Sequence, residues 1–170
     1  AHNDNIQLIA TTAFGLEAIA TREIKALGYE VLETENGRIT FQGSAEAICR
    51  ANLWLRTAER VLLKVGSFDA RSFEELFEKT KALPWSRWIP ENGVFPVSGK
   101  SIKSQLSSVP DCQAIVKKAV VESLKKKYRK DWFEEKGSHY AIEVALLKDR
   151  VTLTIDTSGS GLHRRGYRES

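Results

Sequence analysis

Methionine is absent from this chain, and cysteine and histidine are rare, with two and three residues respectively in 170. The missing methionine indicates that an initiator residue has been removed or that the chain is a piece of a longer protein. Cys49 and Cys112 are too few for a disulfide scaffold or a four-cysteine metal site. The histidines are scattered, two of them near the chain ends, so no metal site and no metalloenzyme is expected.

Long hydrophobic runs are absent as well. No apolar run approaches the roughly 18–20 residues that span a bilayer, and no signal-peptide pattern opens the chain. Hydrophobic residues nevertheless make up 42% of the sequence, enough for a packed core in one ordinary domain or two small ones. The sequence therefore predicts a folded cytoplasmic protein.

The net charge of +4 is unevenly distributed. Residues 1–70 carry 7 basic and 9 acidic side chains, whereas residues 71–170 carry 19 and 13. Most of the excess lies in residues 97–130, which hold nine basic residues and two acids. Such a local excess is typical of a surface that binds a polyanion, although a solvated lysine-rich helix would look the same.

The first 68 residues carry strand and helix signals in the order of a ferredoxin-like domain. Apolar residues recur at helical spacing over 16–27, and Gly28 follows where a helix would end. Asn36-Gly37 is a strong hairpin signal, and Ser44 is a good N-cap for a second helix carrying Ala47 to Leu55. The predicted strands are Leu8–Ala13, Glu30–Glu35, Arg38–Gln42 and Arg60–Phe68. This β-α-β-β-α-β order places two helices on one face of a four-stranded antiparallel sheet.

The second half opens with a capping box, in which Ser72 caps a helix and Glu75 reaches back to it. Pro84 ends that helix, and Trp85 and Trp88 are expected to pack against it rather than to stack on bases. The expected buried stripe of the helix is Phe73, Leu76, Phe77 and Thr80. Further along, the sequence predicts an extended segment at Val94–Ser98 with Pro96 at a sheet edge, a polar loop at 99–112, a helix from an Asp111 N-cap to about Lys130, and strands at Tyr140–Leu147 and Val151–Ile155.

The long predicted helix is amphipathic, with one apolar and one cationic face. Val116, Val120 and Leu124 fall together, and the cations of the opposite face span about three turns, or roughly 16 Å. Lysine and arginine bind phosphate without reading sequence, and the hydroxyls and amides of the preceding loop can bind phosphate or sugar oxygens. Each serine by itself is more simply a loop residue. The cationic face consists of Lys118, Lys125 and Arg129, which are expected to form one continuous patch with Lys100 and Lys103 of the loop. The predicted RNA-binding residues are Lys100, Lys103, Ser104, Gln105, Lys117, Lys118, Lys125 and Arg129.

Three separated blocks of the sequence resemble one protein family. Residues 95–119, FPVSGKSIKSQLSSVPDCQAIVKKA, resemble the core of a THUMP domain. Residues 8–17, LIATTAFGLE, resemble the opening of THUMP-containing RNA methyltransferases. Residues 156–168, DTSGSGLHRRGYR, are similar to the joint that leads into the catalytic domain of those enzymes. The family is that of bacterial THUMP-type, S-adenosylmethionine-dependent N2-guanine methyltransferases of 23S ribosomal RNA, formerly named N6-adenine-specific DNA methylases.

The resemblance implies an α+β chain with a ferredoxin-like domain at 1–68, an α/β THUMP domain at 69–158, and a linker at 159–170 into a methyltransferase domain. The chain would be an RNA-binding module that presents 23S ribosomal RNA to that class I domain, which binds S-adenosylmethionine in the parent enzyme. The chain itself would carry no catalytic residue and no cofactor, because no Asn-Pro-Pro-Tyr motif is found. The glycine-serine segment 158–161 would be a joint rather than a cofactor loop.

Other constellations are discounted on their chemistry. The carboxylate pairs Glu74-Glu75 and Glu134-Glu135 point apart on a helix, and His163 is a candidate contact at the joint. Two alternative functions stay open. One is a regulatory or protein-interaction ferredoxin-like module, and the other is the RNA-binding part of a thiouridine-forming enzyme. The basic segment favours RNA over the first, and the 156–168 block favours the methyltransferase over the second.

Overall fold

The computed structural model describes residues 5–131, 136–159 and 161–162, which contain seven strands and four α-helices. In chain order they are β1 (Ile6–Thr11), α1 (Glu17–Ala26), β2 (Glu30–Glu35), β3 (Arg38–Gly43), α2 (Glu46–Trp54), β4 (Arg60–Asp69), α3 (Phe73–Lys81), β5 (Val97–Ile102), α4 (Val109–Tyr128), β6 (Ile142–Leu147) and β7 (Arg150–Asp156). The predicted α+β class is confirmed. Two compact units divide this part of the chain: the first runs to Lys64 and takes in the residues from Asp156 onward, and the second is Val65–Ile155.

The first unit has the predicted ferredoxin-like order. Its strands run β2-β3-β1-β4 and all pair antiparallel, with Leu8 opposite both Phe41 and Leu63. These three side chains are fully buried, as are Ile24 of α1 and Ile48 of α2. The alternating apolar residues of the strands and the apolar faces of α1 and α2 therefore pack into one core.

The C-terminal end of α1 lies as predicted, whereas the N-terminal end of α2 does not. Gly28 has φ +95, its N–H bonds Lys25 O at 2.9 Å, and the next N–H bonds Ile24 O at 3.3 Å, so the predicted glycine stop is confirmed. The predicted Ser44 cap is wrong. Ala45 is the N-cap and already has helical φ and ψ of −57 and −32, and its side chain offers no oxygen. Ser44 instead contributes its carbonyl, which accepts from the Ala47 N–H at 2.9 Å.

The second unit has the strand order β4-β7-β6-β5, in which β5 pairs parallel to β6 and β6 pairs antiparallel to β7. Strand β5 is the last in this order, as the proline just before it predicts. The predicted apolar stripe of α4 is confirmed, because Val116, Val120 and Leu124 are at most 1% exposed. Helix α4 packs on α3 and on β5 and β6.

Two boundaries near β5 depart from the prediction. Strand β5 extends through Ile102, so residues 99–102 are not loop, because pairing with the distant β6 supplies their backbone with partners. Helix α4 begins at Val109, and its cap is Ser108, whose hydroxyl accepts from the Asp111 N–H at 3.4 Å. Asp111 is therefore inside the first turn rather than at the N-cap. The helix ends at Tyr128, and Arg129 is left-handed with φ +56.

Helix α3 keeps its predicted cap but only part of its predicted buried stripe. The Glu75 N–H donates to the Ser72 hydroxyl at 3.1 Å, whereas the Glu75 carboxylate accepts from the Arg71 N–H and not from Ser72. Leu76 and Thr80 are fully buried. Phe77 is half-buried and Phe73 is 37% exposed, since the first turn lies at the end of the packed surface.

The tryptophans and the last strands complete the second unit. Trp85 and Trp88 are buried, as predicted, and the Trp85 indole N–H donates to Thr80 O at 2.7 Å. Strand β6 starts two residues later than predicted, at Ile142, and β7 is one residue longer at each end.

Candidate nucleic-acid interface

The outward face of α4 carries the predicted cationic stripe. Lys118 and Arg129 are exposed and Lys125 is half-buried, along a line of about 16 Å. Lys125 lies 3.8 Å from a Glu122 carboxylate oxygen, and the Lys118 ammonium lies 5.8 Å from the Phe77 ring centre. Arg129 makes no ion pair within the described residues. The stripe is thus accessible, and one of its three charges is partly neutralised.

Lys117 is turned to the flank of the same helix. Its ammonium donates to Phe95 O at 3.0 Å and lies 3.9 Å from the centre of the Phe95 ring. These contacts fasten α4 to the segment that precedes β5. An RNA contact by Lys117 stays a prediction, and it would compete with this packing.

Lys100 lies on strand β5 and not on the loop where the sequence analysis placed it. A Cβ added at its neighbour Gly99 would lie 3.4 Å from Gln113 of α4, so residue 99 faces the helix. Successive strand residues point to opposite faces, and Lys100 therefore points away from α4. The expectation of one continuous patch with the α4 stripe is wrong for Lys100, because the sheet lies between them.

The loop after β5 is held by the turn between β6 and β7. The Asp149 carboxylate accepts from the Gln105 N–H at 2.7 Å, and the Asp149 N–H donates to the Ser104 hydroxyl at 2.9 Å. The other Asp149 oxygen lies 3.2 Å from Arg71 Nε. Asp149 thereby fixes the backbone on which Lys103 is exposed, with φ +50.

The serines of this region are committed to protein partners. Ser101 donates to Leu106 O at 2.7 Å and Ser104 donates to Ile102 O at 3.0 Å, while Ser108 caps α4. A hydroxyl has one hydrogen to donate, so Ser104 could donate to a phosphate only by releasing Ile102. Gln105 is exposed, and only its backbone N–H is engaged by Asp149.

Three exposed residues beside this loop are not among the residues predicted from the sequence to bind RNA. Ile102 and Leu147 are partners across β5 and β6 and are 51% and 47% exposed, and Lys148 follows them in the turn. Lys148 is not among the RNA-binding residues predicted from the sequence. The parallel pairing of β5 with β6 places the turn that holds Lys148 beside the loop, and the Lys148 N–H donates to Ile102 O at 3.1 Å.

The joint after β7 belongs to the first unit. The Asn52 amide donates to the buried Thr157 hydroxyl at 2.8 Å, and that hydroxyl donates to Val61 O at 2.7 Å. Asp156 accepts from Ser158 and lies 3.6 Å from Arg60. The side chains of Asp156 and Thr157 are thus bonded to other groups of the protein. Residues 163–170, including His163, and the pair Glu134-Glu135 lie outside the described residues.

The remaining reactive side chains lie in packed surroundings. Cys49 and Cys112 are buried and form no disulfide, and burial raises the pKa of both thiols. The described residues include no group of three or more histidine, cysteine or acidic side chains that could hold a metal ion. Within the same part of the chain, no helix combines the length and the apolarity that crossing a membrane would need.

Two family models match the chain in sequence. Residues 7–62 match the RlmL ferredoxin-like domain, and residues 70–156 match the THUMP domain. A Bacillus subtilis protein provisionally named RNA methyltransferase YpsC is 59% identical over 95% of this chain and 42% of its own length. Ribosomal RNA large subunit methyltransferase K/L of Syntrophotalea carbinolica is 33% identical, over 96% of this chain and 23% of its own.

Solved structures agree with these matches. A Listeria monocytogenes structure described as a predicted N6-adenine-specific DNA methylase superposes with a TM-score of 0.89 at 58% identity, over 97% of this chain and 43% of that one. SMU.472, provisionally named a methyltransferase and solved in complex with SAH, has a TM-score of 0.87 at 41% identity, over 91% of this chain and 42% of that one. The chain thus spans less than half the length of these relatives.

Proposed function

The chain belongs to the THUMP family, and we propose that it is an RNA-binding module that presents ribosomal RNA to a class I methyltransferase domain of a longer parent protein. In this proposal the ferredoxin-like domain occupies 1–68, the THUMP domain 69–158, and the linker 159–170. The support is that the relatives extend well beyond the matched region and carry methyltransferase names.

The proposed parent reaction is the transfer of a methyl group to guanine N2 in 23S ribosomal RNA, in the cytoplasm. S-adenosylmethionine would supply the methyl group and would bind in the domain that follows this chain. The SAH complex of SMU.472 supports that cofactor for the parent, and the large-subunit name of the K/L relative supports the substrate. The part of this chain is to hold RNA, and no catalytic step is assigned to its residues.

The observation that carries RNA binding is the set of accessible cations in the second unit. Within the described residues, Lys100, Lys103 and Arg129 make no ion pair, and Lys118 contacts only an aromatic ring. Exposed cations without acidic neighbours neutralise phosphates and release counterions on binding. A protein-interaction module would not need this excess, and the names of the relatives favour the methyltransferase parent over a thiouridine-forming one.

The test is the salt dependence of RNA binding by this chain, measured by fluorescence anisotropy with a structured ribosomal RNA fragment. If about five phosphates are neutralised, the affinity falls about 10²–10³-fold between 50 and 200 mM salt. Salt-independent binding would contradict the proposal, and so would calorimetric binding of S-adenosylmethionine to this chain.

A set of charge reversals locates the RNA. The combined change Lys118→Glu, Lys125→Glu and Arg129→Glu is expected to abolish binding with an unchanged circular dichroism spectrum. The matched control is Arg22→Glu with Lys25→Glu on α1 of the first unit, which should have a smaller effect. Equal losses from both sets would show that the charge acts diffusely.

A further inference from the structure

On β5 and β6, the face of the sheet opposite α4 carries exposed and half-buried side chains, and it ends in an apolar pair. Ile102 and Leu147 are direct partners at the ends of β5 and β6, and each has about half of its side-chain surface exposed. Their neighbours Ser101 and Leu146 point toward α4, because Gly99 faces that helix and strand residues alternate. The pair therefore lies on the same open face as Lys100. The two aliphatic side chains lie side by side and form one small apolar patch.

Three lysines surround this pair. Lys100 precedes it on β5, Lys103 follows Ile102, and Lys148 follows Leu147; none forms an ion pair among the described residues. The arginines nearby are already paired, Arg71 with Asp149 at 3.2 Å and Arg150 with Asp69 at 3.4 Å. The three lysines thus leave a net positive charge around the apolar pair. These five residues, Lys100, Ile102, Lys103, Leu147 and Lys148, are called the β5–β6 platform below.

The platform is held in place before any partner arrives. Lys103 and Lys148 both have left-handed backbones, with φ +50 and +49, a conformation that costs a non-glycine residue roughly 1–2 kcal/mol. Asp149 maintains it through its bonds to the Ser104 hydroxyl and the Gln105 N–H. A surface ordered in advance loses less conformational entropy on binding.

We infer that the β5–β6 platform binds an unpaired RNA segment, with the face of one base against the aliphatic pair and the neighbouring phosphates on the lysines. This inference rests on the proposed function and extends it to a face and a form of RNA. Charge selects RNA over an apolar protein partner, because three uncompensated lysines would be desolvated against a neutral surface. The apolar pair selects an unpaired segment, because a duplex keeps its base faces stacked inside.

The first test removes the apolar contact and leaves every charge in place. Ile102→Thr with Leu147→Thr keeps strand-forming residues at both positions. This variant should bind an unstructured oligoribonucleotide about tenfold more weakly, as for loss of one base contact, with the salt dependence of log Kd unchanged. Binding to an RNA duplex should not change. Leu32→Thr, a comparably exposed leucine on β2 of the first unit, is the matched control.

The second test removes the charges and keeps the apolar pair. Lys100→Gln, Lys103→Gln and Lys148→Gln together should lower the slope of log affinity against log salt by about 2, at about 0.7 for each single-strand phosphate contact. Thermal unfolding of each variant, compared with that of the parent chain, checks that the fold is kept.

The outcomes separate the two proposals. If the chain binds RNA, and the α4 reversals weaken it while both platform variants bind like the parent chain, the platform inference is wrong and the proposed function stands. If the chain binds duplex and unpaired RNA equally, the inference is also wrong. If the unaltered chain binds no RNA, both fail, and the platform becomes a candidate surface for a protein partner.

Discussion

Both units use carboxylates to bind loop backbone, but in the second unit exposed lysines lie beside such a carboxylate. In the first unit, Glu17 accepts from the Gly15 and Gly37 N–H groups at 2.8 and 2.7 Å, and Glu23 binds the hydroxyl and N–H of Thr57. These carboxylates are internal ligands of loop backbone. In the second unit, Asp149 does the same work for two loops, but the lysines beside it have no ion-pair partner among the described residues. Charged side chains that have partners within the protein indicate a structural role. Exposed charged side chains without such partners among the described residues indicate a binding surface.

The units also differ in how their helices begin. Helices α3 and α4 begin at serines whose hydroxyls accept a backbone N–H, whereas α1 and α2 have no side-chain bond at the N-cap. Helix α1 instead has Glu17 in its first turn, tied to the neighbouring loops. The second unit therefore relies on local caps, and the first relies on contacts between distant segments.

The largest expected difference is between two tryptophans. Trp85 of the second unit is fully buried, and Trp54 of the first is 59% exposed. Trp85→Ala should destabilise the fold by about 3–5 kcal/mol, because it leaves a cavity and removes the indole N–H bond to Thr80 O. Trp54→Ala should cost under about 1 kcal/mol, within the range of surface changes. Urea unfolding of both variants tests the contrast, and equal losses would mean that Trp54 has packing the structure does not show.

The next effect compares two buried threonines under the same substitution. Thr157 donates to Val61 O and accepts from Asn52, whereas the Thr154 hydroxyl has no hydrogen-bond partner among the described residues. Thr157→Val should cost about 1–3 kcal/mol, because it removes two hydrogen bonds made by a buried hydroxyl. Thr154→Val removes an unpaired hydroxyl and should be neutral or stabilising. Midpoints of urea unfolding measure the sign, and the same sign for both would contradict the hydrogen-bond assignment.

The next contrast in stability is between Ser72, which caps a helix, and Ser44, which the sequence wrongly predicts to cap one. Ser72→Ala removes the acceptor for the Glu75 N–H and should cost about 1 kcal/mol. Ser44→Ala should change stability by less than about 0.5 kcal/mol, since that exposed side chain caps nothing. Thermal midpoints of the two variants decide between these positions, and a larger loss at Ser44 would restore the sequence-based cap.

The smallest expected effect is on the pH dependence of stability, and it comes from two carboxylates of the first unit. Backbone hydrogen bonds, including that from Gly37, lower the pKa of Glu17 below 4.5. Burial opposes this shift for Glu23, but the Thr57 hydroxyl and N–H outweigh it and lower the Glu23 pKa below 4.5. A lowered pKa contributes stability that is present above 4.5 and is lost as the pH falls through the folded-state value.

The measurement compares thermal unfolding at pH 7 and pH 3 for the parent chain and for Glu17→Gln with Glu23→Gln. The variant should be less stable at pH 7, and the gap should narrow as the pH falls to 3, because the parent carboxylates take up protons. Glu33→Gln on the exposed strand β2 is the control. The effect is small because both carboxylates are largely solvated. A gap that persists at pH 3 would mean that the loss comes from packing and not from charge.

Local signals in the sequence were sufficient for most of the elements. The Gly28 stop, the Asn36-Gly37 hairpin and the Ser72 cap each depend on a few neighbouring residues, and each lies where predicted. The wrong loop at residues 99–102 and the misplaced Lys100 share one cause. Ser98 to Ile102 is polar and glycine-containing, and it is a strand only because β6, more than forty residues away, pairs with it.

The sequence by itself determined the class of fold, the apolar stripe of α4 and the concentration of positive charge in residues 97–130, because periodicity and composition are local properties. Only the tertiary structure decided where those charges point. The parallel pairing of β5 with β6 turned Lys100 away from α4, engaged Ser104 with Asp149, and set Ile102 beside Leu147. Which residues share a face of a sheet is fixed by register between distant strands, and no local pattern in the chain carries that information.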